Sequence, residues 1–185
     1  MLTSTLVKRT LIATLAPLAT AWAADPAFQA PPAKNLSYSV MVAPAREPGM
    51  RMIVTGRLVA RDGKTPLAGR RIGVYHTDML GNYGRDPKVP DWARLNGWLR
   101  TDSRGRFEIN TVRPGAYPQG NTPEHIHFVV EVSPGQFNGN MELRFEDDRR
   151  VSPEDLSESR RKGRFGDVRP VRLVHDTLRV ERDLR

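Results

Sequence analysis

The chain has 185 residues, no cysteine and a formal net charge of +8. Without cysteine there are no disulfides and no thiolate metal sites, so any metal is held by nitrogen and oxygen, and the fold rests on packing. Basic residues alternate with acids, as in Glu146-Asp147-Asp148-Arg149-Arg150 and Arg179-Val180-Glu181-Arg182-Asp183, which describes a solvated surface and not a nucleic-acid track. The positive excess still favours the approach of anionic aromatic acids.

Lys8-Arg9 precede an apolar run from Leu11 through Trp22, and Ala21-Trp22-Ala23 places small residues where a signal peptidase cuts. Residues 1–23 therefore read as a secretory signal peptide cleaved after Ala23, and the expected destination is periplasmic or extracellular. The run is short for a bilayer span and no second one follows, so stable membrane insertion is not expected. Residues 24–50 carry Pro26, Pro31, Pro32, Pro44 and Pro48, and only Leu36 to Val42 alternates as a strand. This is expected to be an extended arm lying on the domain or on a neighbouring subunit, which is compatible with a homo-oligomer. The remaining residues, 51–185, have the length of one domain with a single core.

Met52 to Ala60 alternates apolar and polar, Arg61-Asp62-Gly63-Lys64 is a turn, and Arg71 to His76 is a second strand, a hairpin-like start. Gly97 to Thr101 and Arg106 to Asn110 flank the turn Asp102-Ser103-Arg104-Gly105. His125 to Val132, Met141 to Phe145, Arg169 to Val174 and Thr177 to Leu184 follow as strands. Only residues 152–161 have helical character, with Ser152 as N-cap and Pro153 in the first turn. The pattern predicts an all-β fold, a β-sandwich with one short helical segment.

In an extended segment the imidazoles of His125 and His127 project from one face while Ile126 points the other way. A strand can offer two nitrogens to one metal in this way, although a His-x-His taken alone is more often ordinary sheet surface or a satisfied polar pair. Tyr83 follows the turn Gly81-Asn82, and Tyr117 lies in Arg113-Pro114-Gly115-Ala116-Tyr117-Pro118. Either tyrosine, taken alone, serves equally well as a turn or packing residue. Tyr75 and His76 sit inside a strand and read as a packing residue and a core-edge polar residue. His175, beside Asp176, reads as a turn residue.

Taken in order, Gly56-Arg57-Leu58-Val59, Ile72-Gly73-Val74-Tyr75-His76-Thr77-Asp78, Gly81-Asn82-Tyr83, Pro114-Gly115-Ala116-Tyr117-Pro118 and His125-Ile126-His127-Phe128 resemble the intradiol ring-cleavage dioxygenases, the protocatechuate 3,4-dioxygenase and catechol 1,2-dioxygenase family. The resemblance spans residues 51–185. It implies a non-haem Fe(III) held by Tyr83, Tyr117, His125 and His127, with Tyr117 acting as both ligand and catalytic base. It also implies a catechol-type substrate and O2 as small-molecule partners and a cis,cis-muconate-type product. The residue types suit such an ion: phenol, with a pKa near ~10, becomes a ligand near neutral pH only when a strongly charged metal displaces its proton. Phenolates are hard anionic donors that favour Fe(III) over Fe(II).

The chain departs from the family where an arginine is usual three positions before the first histidine, since Thr122 stands there; a glutamine usual in the next strand is Glu142. Arg85, Arg94, Arg100 and Arg113 are the candidates to supply the missing charge, and Glu124, next to His125, reads as a partner supporting the ligands or, slightly preferred, as a solvent-facing residue. Two other readings remain open on the sequence. One is a non-catalytic sandwich of the transthyretin-like or carboxypeptidase-regulatory-like type, and the other is a metal-binding homologue with altered chemistry. Only the first has no need for Tyr83, His125 and His127 together.

Overall fold

Alternating apolar residues set the strands of this chain, and the sites where alternation fails set its connections. The computed structural model describes residues 35–84 and 93–185. The expected signal peptide and the first part of the arm lie outside the described residues. In chain order the strands are β1 (Ser39–Met41), β2 (Arg51–Arg57), β3 (Arg71–His76), β4 (Leu95–Arg100), β5 (Arg106–Val112), β6 (His125–Ser133), β7 (Gln136–Phe145), β8 (Val168–Arg169), β9 (Arg172–Val174) and β10 (Thr177–Glu181). Helix α1 (Pro153–Arg161) and a short 3-10 turn (Gly163–Phe165) lie between β7 and β8. Among the described residues no helix is long and apolar enough to cross a membrane.

The strands form two five-stranded sheets, ordered β1-β5-β2-β10-β9 and β4-β3-β6-β7-β8. The fold is the all-β sandwich that the sequence predicts. Its core is the set of inward-facing alternate residues: Met52 and Val54 from β2, Ile72 and Val74 from β3, Phe107 and Ile109 from β5, Ile126 and Phe128 from β6, Leu143 and Phe145 from β7. Phe107 meets Phe128 edge-on at 6.4 Å between ring centroids, joining the two sheets. Each such buried side chain contributes about 2 kcal/mol through removal from water.

Two expectations need correction. The start of the domain is not a hairpin: β2 pairs with β5 and β10, while β3 pairs with β4 and β6 in the other sheet. The segment after β2 crosses between sheets, held by bridges from Leu58 to Leu184 and from Val59 to Pro66. In addition, β7 begins at Gln136, earlier than the alternation starting at Met141, and forms a hairpin with β6 across Gly135, whose φ is +76°. Register shifts along this hairpin break the alternation on which a period-2 reading depends.

The described end of the arm lies on its own domain, where β1 runs parallel to β5. Helix α1 begins as predicted. Ser152 Oγ accepts from Asp155 N at 3.0 Å, and Asp155 Oδ2 accepts from Ser152 N at 3.3 Å.

Candidate metal centre

On β6 the side chains of Ile126 and Phe128 fill the core, so His125 and His127 leave the sheet on its other face. Two loops cover them, the one after β3 bearing Tyr83 and the one between β5 and β6 bearing Tyr117. Asp78 shapes the first: its Oδ1 accepts from Leu80 N at 2.9 Å and from Asn82 N at 3.0 Å. Its carbonyl also accepts from Gly81 N at 3.1 Å and, across to the second loop, from Gly115 N at 2.7 Å. Thr77 Oγ1 donates to Gly115 O at 2.7 Å.

The loops touch backbone to backbone. Gly81, with φ +83°, sits so close that a Cβ there would lie 1.9 Å from Ala116 O, and one on Gly115 would lie 2.5 Å from Met79 O. Only glycine allows this approach, and it brings the two tyrosines together.

Tyr83 Oη lies 2.6 Å from Tyr117 Oη and 3.0 Å from His127 Nε2. Tyr117 Oη lies 3.1 Å from His125 Nε2, and the two Nε2 atoms are 2.9 Å apart. The four site residues picked out in the sequence thus converge as a closed ring of two oxygens and two nitrogens. A ring with these edges accommodates one ion at bond lengths of roughly 2 Å.

The protonation states favour such an ion. His125 Nδ1 lies 2.6 Å from Pro123 O; a carbonyl only accepts, so Nδ1 carries a proton and Nε2 is the ring nitrogen turned toward Tyr117. Burial, with His125 and His76 adding to it, pushes His127 down to about 3, so this imidazole is neutral. Burial also raises both phenols above their ordinary value; the hydrogen bond between them adds to the rise at Tyr83 and opposes it at Tyr117. Neither tyrosine ionises unaided, so a multiply charged cation is the agent that would turn both into phenolates.

Three ligand-type residues, His125, His127 and Glu142, also lie close enough to share an ion. Glu142, however, stands 3.6 Å from Nδ1 of His127, while Tyr83 meets its Nε2. The two ring nitrogens diverge, so Glu142 lies behind the imidazole and outside the ring of four donors.

Known proteins resemble this chain in sequence and in fold. A family model described as "Dioxygenase" matches residues 24–180. The chain belongs to the intradiol dioxygenase family. It is 35% identical over 102 residues to catechol 1,2-dioxygenase 2 of Acinetobacter lwoffii, covering 46% of this chain and 37% of that protein. It is also 35% identical over 93 residues to the protocatechuate 3,4-dioxygenase beta chain of Burkholderia cepacia, covering 44% of this chain and 39% of that one. The matches therefore span about two fifths of these relatives' length. The fold is similar to that of catechol 1,2-dioxygenase from Pseudomonas arvilla C-1, with a TM-score of 0.62 at 22% identity over 81% of this chain and 56% of that chain.

In this member of the family, the arginines expected to supply charge are otherwise engaged. Arg94 Nη1 and Nη2 donate to Glu47 at 2.6 Å each, and Nη2 lies 3.4 Å from Asp78. Arg113 donates to Glu124 at 2.6 Å and to both oxygens of Asp147 at 2.7 and 2.8 Å. Arg100 Nη1 donates to Gly69 O at 2.8 Å, and Arg85 lies outside the described residues. Arg94 and Arg113 act as braces: the backbone N of Arg94 also donates to Tyr83 O at 2.9 Å. Glu124 is a correction, since it pairs with Arg113 where solvent was expected.

His76, read from the sequence as a core-edge polar residue, is fully buried, with its ring nitrogens 2.6 Å from Thr77 O and 2.6 Å from Thr111 Oγ1. His175 has φ 45° in the turn before β10. Tyr75 stays out of the donor ring but stacks on His127, a contact that depends on strand register and leaves no sequence signal.

Proposed function

We propose that this chain is a non-haem ferric dioxygenase that inserts O2 between the two hydroxyl-bearing carbons of a catechol-type aromatic, giving a cis,cis-muconate-type product. The observation that carries this is the closed ring of Tyr83, Tyr117, His125 and His127, with edges of 2.6 to 3.1 Å. Family membership and the names of the relatives point to the same chemistry. Both atoms of O2 enter the product, so the reaction needs no external reductant.

Fe(III) bound there would supply a Lewis-acidic centre that favours the deprotonated, electron-rich form of a catechol. The chain's residues do the rest. His125, tied to the Pro123 carbonyl, and His127, held between Tyr75 and Tyr83, keep their Nε2 atoms aimed at the centre. Tyr117 sits on a glycine-containing loop packed against the loop that carries Tyr83, and as phenolate its Oη takes a proton from a catechol hydroxyl. Tyr83, more deeply set and bonded at its carbonyl by Arg94, stays in place as the fixed oxygen donor. The leader-like residues 1–23 support action outside the cytoplasm, which cell fractionation with N-terminal sequencing would check.

Purified protein loaded with Fe(III) is expected to be red-brown from tyrosinate-to-iron charge transfer and to consume O2 with catechols while forming a muconate. A colourless, iron-free protein after iron supplementation would overturn the proposal. A coloured protein inactive on a catechol panel would leave the metal centre standing and overturn the ring-cleavage assignment.

A further inference from the structure

The two histidines of the ring differ in what stands behind them. His125 Nδ1 donates to a neutral carbonyl, Pro123 O, at 2.6 Å. Behind His127 Nδ1 stands a carboxylate, Glu142 Oε1, at 3.6 Å. The register makes this pairing: His127 and Glu142 are cross-strand partners on β6 and β7, so their side chains leave the sheet on the same face.

The other acids around the site are matched by arginines. Glu47 and Asp78 face Arg94, Glu124 and Asp147 face Arg113, and Asp148 faces Arg150. Among the described residues the side-chain partner recorded for Glu142 is His127 itself, through Nδ1. At 3.6 Å this contact is longer than a hydrogen bond, but the Glu142 side chain is 43% exposed and has the freedom to close on a protonated Nδ1.

We propose that Glu142 is a positioning residue for His127: its carboxylate holds the proton on Nδ1, keeps Nε2 bare toward the tyrosines, and adds anionic character to that one imidazole, which favours ferric over ferrous iron. This rests on the assignment of the four-donor ring as an iron site. A carboxylate behind a metal-bound histidine fixes its tautomer and raises its basicity, and loss of such a partner costs about 10- to 100-fold in metal affinity.

The test uses the full chain loaded with Fe(III), comparing wild type with Glu142→Gln, which keeps shape and removes charge, and with Glu142→Asp, which keeps charge. The one-electron potential is read by spectroelectrochemistry on the tyrosinate band, and ferric affinity by chelator competition. In Glu142→Gln the ferric-to-ferrous affinity ratio is expected to fall about tenfold, which is a rise of about 59 mV in potential. Glu142→Asp is expected to recover at least half of that shift, and the unfolding midpoint is expected to stay put in both. Equal potentials in wild type and Glu142→Gln, or equal shifts in the Gln and Asp variants, would overturn the role of Glu142. If Glu142→Gln does not fold, the neutral Glu142→Met variant reads the same shift. Wild-type protein without iron or a tyrosinate band would instead overturn the iron-site assignment.

Discussion

Tyr75 lies face to face with His127, the ring centroids 4.5 Å apart and the planes 13° from parallel. The two are cross-strand partners on β3 and β6, so the contact follows from register and not from loop conformation. Sheet geometry therefore orients the imidazole before any ion arrives, and the loops only have to deliver the tyrosines.

Replacing Tyr75 with leucine removes the stack and frees the His127 ring to turn. A stacked aromatic pair is worth about 1 kcal/mol beyond area burial, so ferric affinity is expected to fall roughly fivefold. Tyr75→Phe, which keeps the ring, is expected to bind iron like wild type. Chelator competition measures both; if the leucine variant binds as tightly as wild type, the stack contributes only to packing.

The approach of the two loops predicts a sharper loss at Gly81. With φ at +83° and only 1.9 Å between Ala116 O and the place a Cβ would occupy, Gly81→Ala must push the loops apart. Strain of this kind costs on the order of 1–3 kcal/mol, which a sandwich with its core intact survives. The variant is expected to fold, with a circular dichroism spectrum like wild type, and to lose the charge-transfer band because Tyr83 and Tyr117 no longer meet. A Gly81→Ala protein with a full band would show that the backbone contact does not set the tyrosine separation.

Tyr117→Phe tests the division of labour between the phenols. With Tyr83, His125 and His127 left in place, the protein is expected to retain iron and a weaker, shifted band. Losing the group proposed to take the substrate's proton is expected to lower kcat by about 10²- to 10⁴-fold. Stopped-flow mixing with a catechol should then show binding without the fast proton transfer. Unchanged turnover would remove Tyr117 from the role of base.

The candidate ligands were legible through their ordered resemblance to the family, since the local signature of each fits a turn, packing or sheet-surface residue as well. His125 and His127 share a face by the two-residue period of a strand, and Tyr83 and Tyr117 each follow a glycine turn. Their convergence was not legible, since it depends on Gly81 meeting Ala116 across the gap between loops. Long-range pairing also explains the misses. Glu124 looks solvent-facing until Arg113 is seen to reach it, and β2 with β3 looks like a hairpin until each is found bonded to strands far along the chain. The strand that Tyr75 belongs to was readable, but its partner His127 required the register of β3 on β6.

At the other end of β6, Glu131 anchors the strand that carries both histidines. Its Oε2 accepts from Arg71 N and Nε at 3.0 Å each, while Oε1 accepts from Arg71 Nη2 at 2.7 Å and from Gly135 N at 2.9 Å. The Arg71 guanidinium, opposed by burial and helped by the backbone donors, lowers the carboxyl from 4.5 to about 2. A carboxylate whose folded pKa is depressed contributes stability that is present above its unfolded value and lost as pH falls through the folded one. The pair should therefore stabilise the protein fully above about pH 5 and progressively less down to pH 2. Glu131→Gln is expected to cost about 2 kcal/mol at pH 7, as for a lost charge-assisted hydrogen-bond set, and almost nothing at pH 2. Urea unfolding of both proteins at pH 7, 4 and 2.5 measures this. A constant gap between them across that range would assign the stabilisation to packing, because only the ionised carboxylate distinguishes the two proteins in a pH-dependent way.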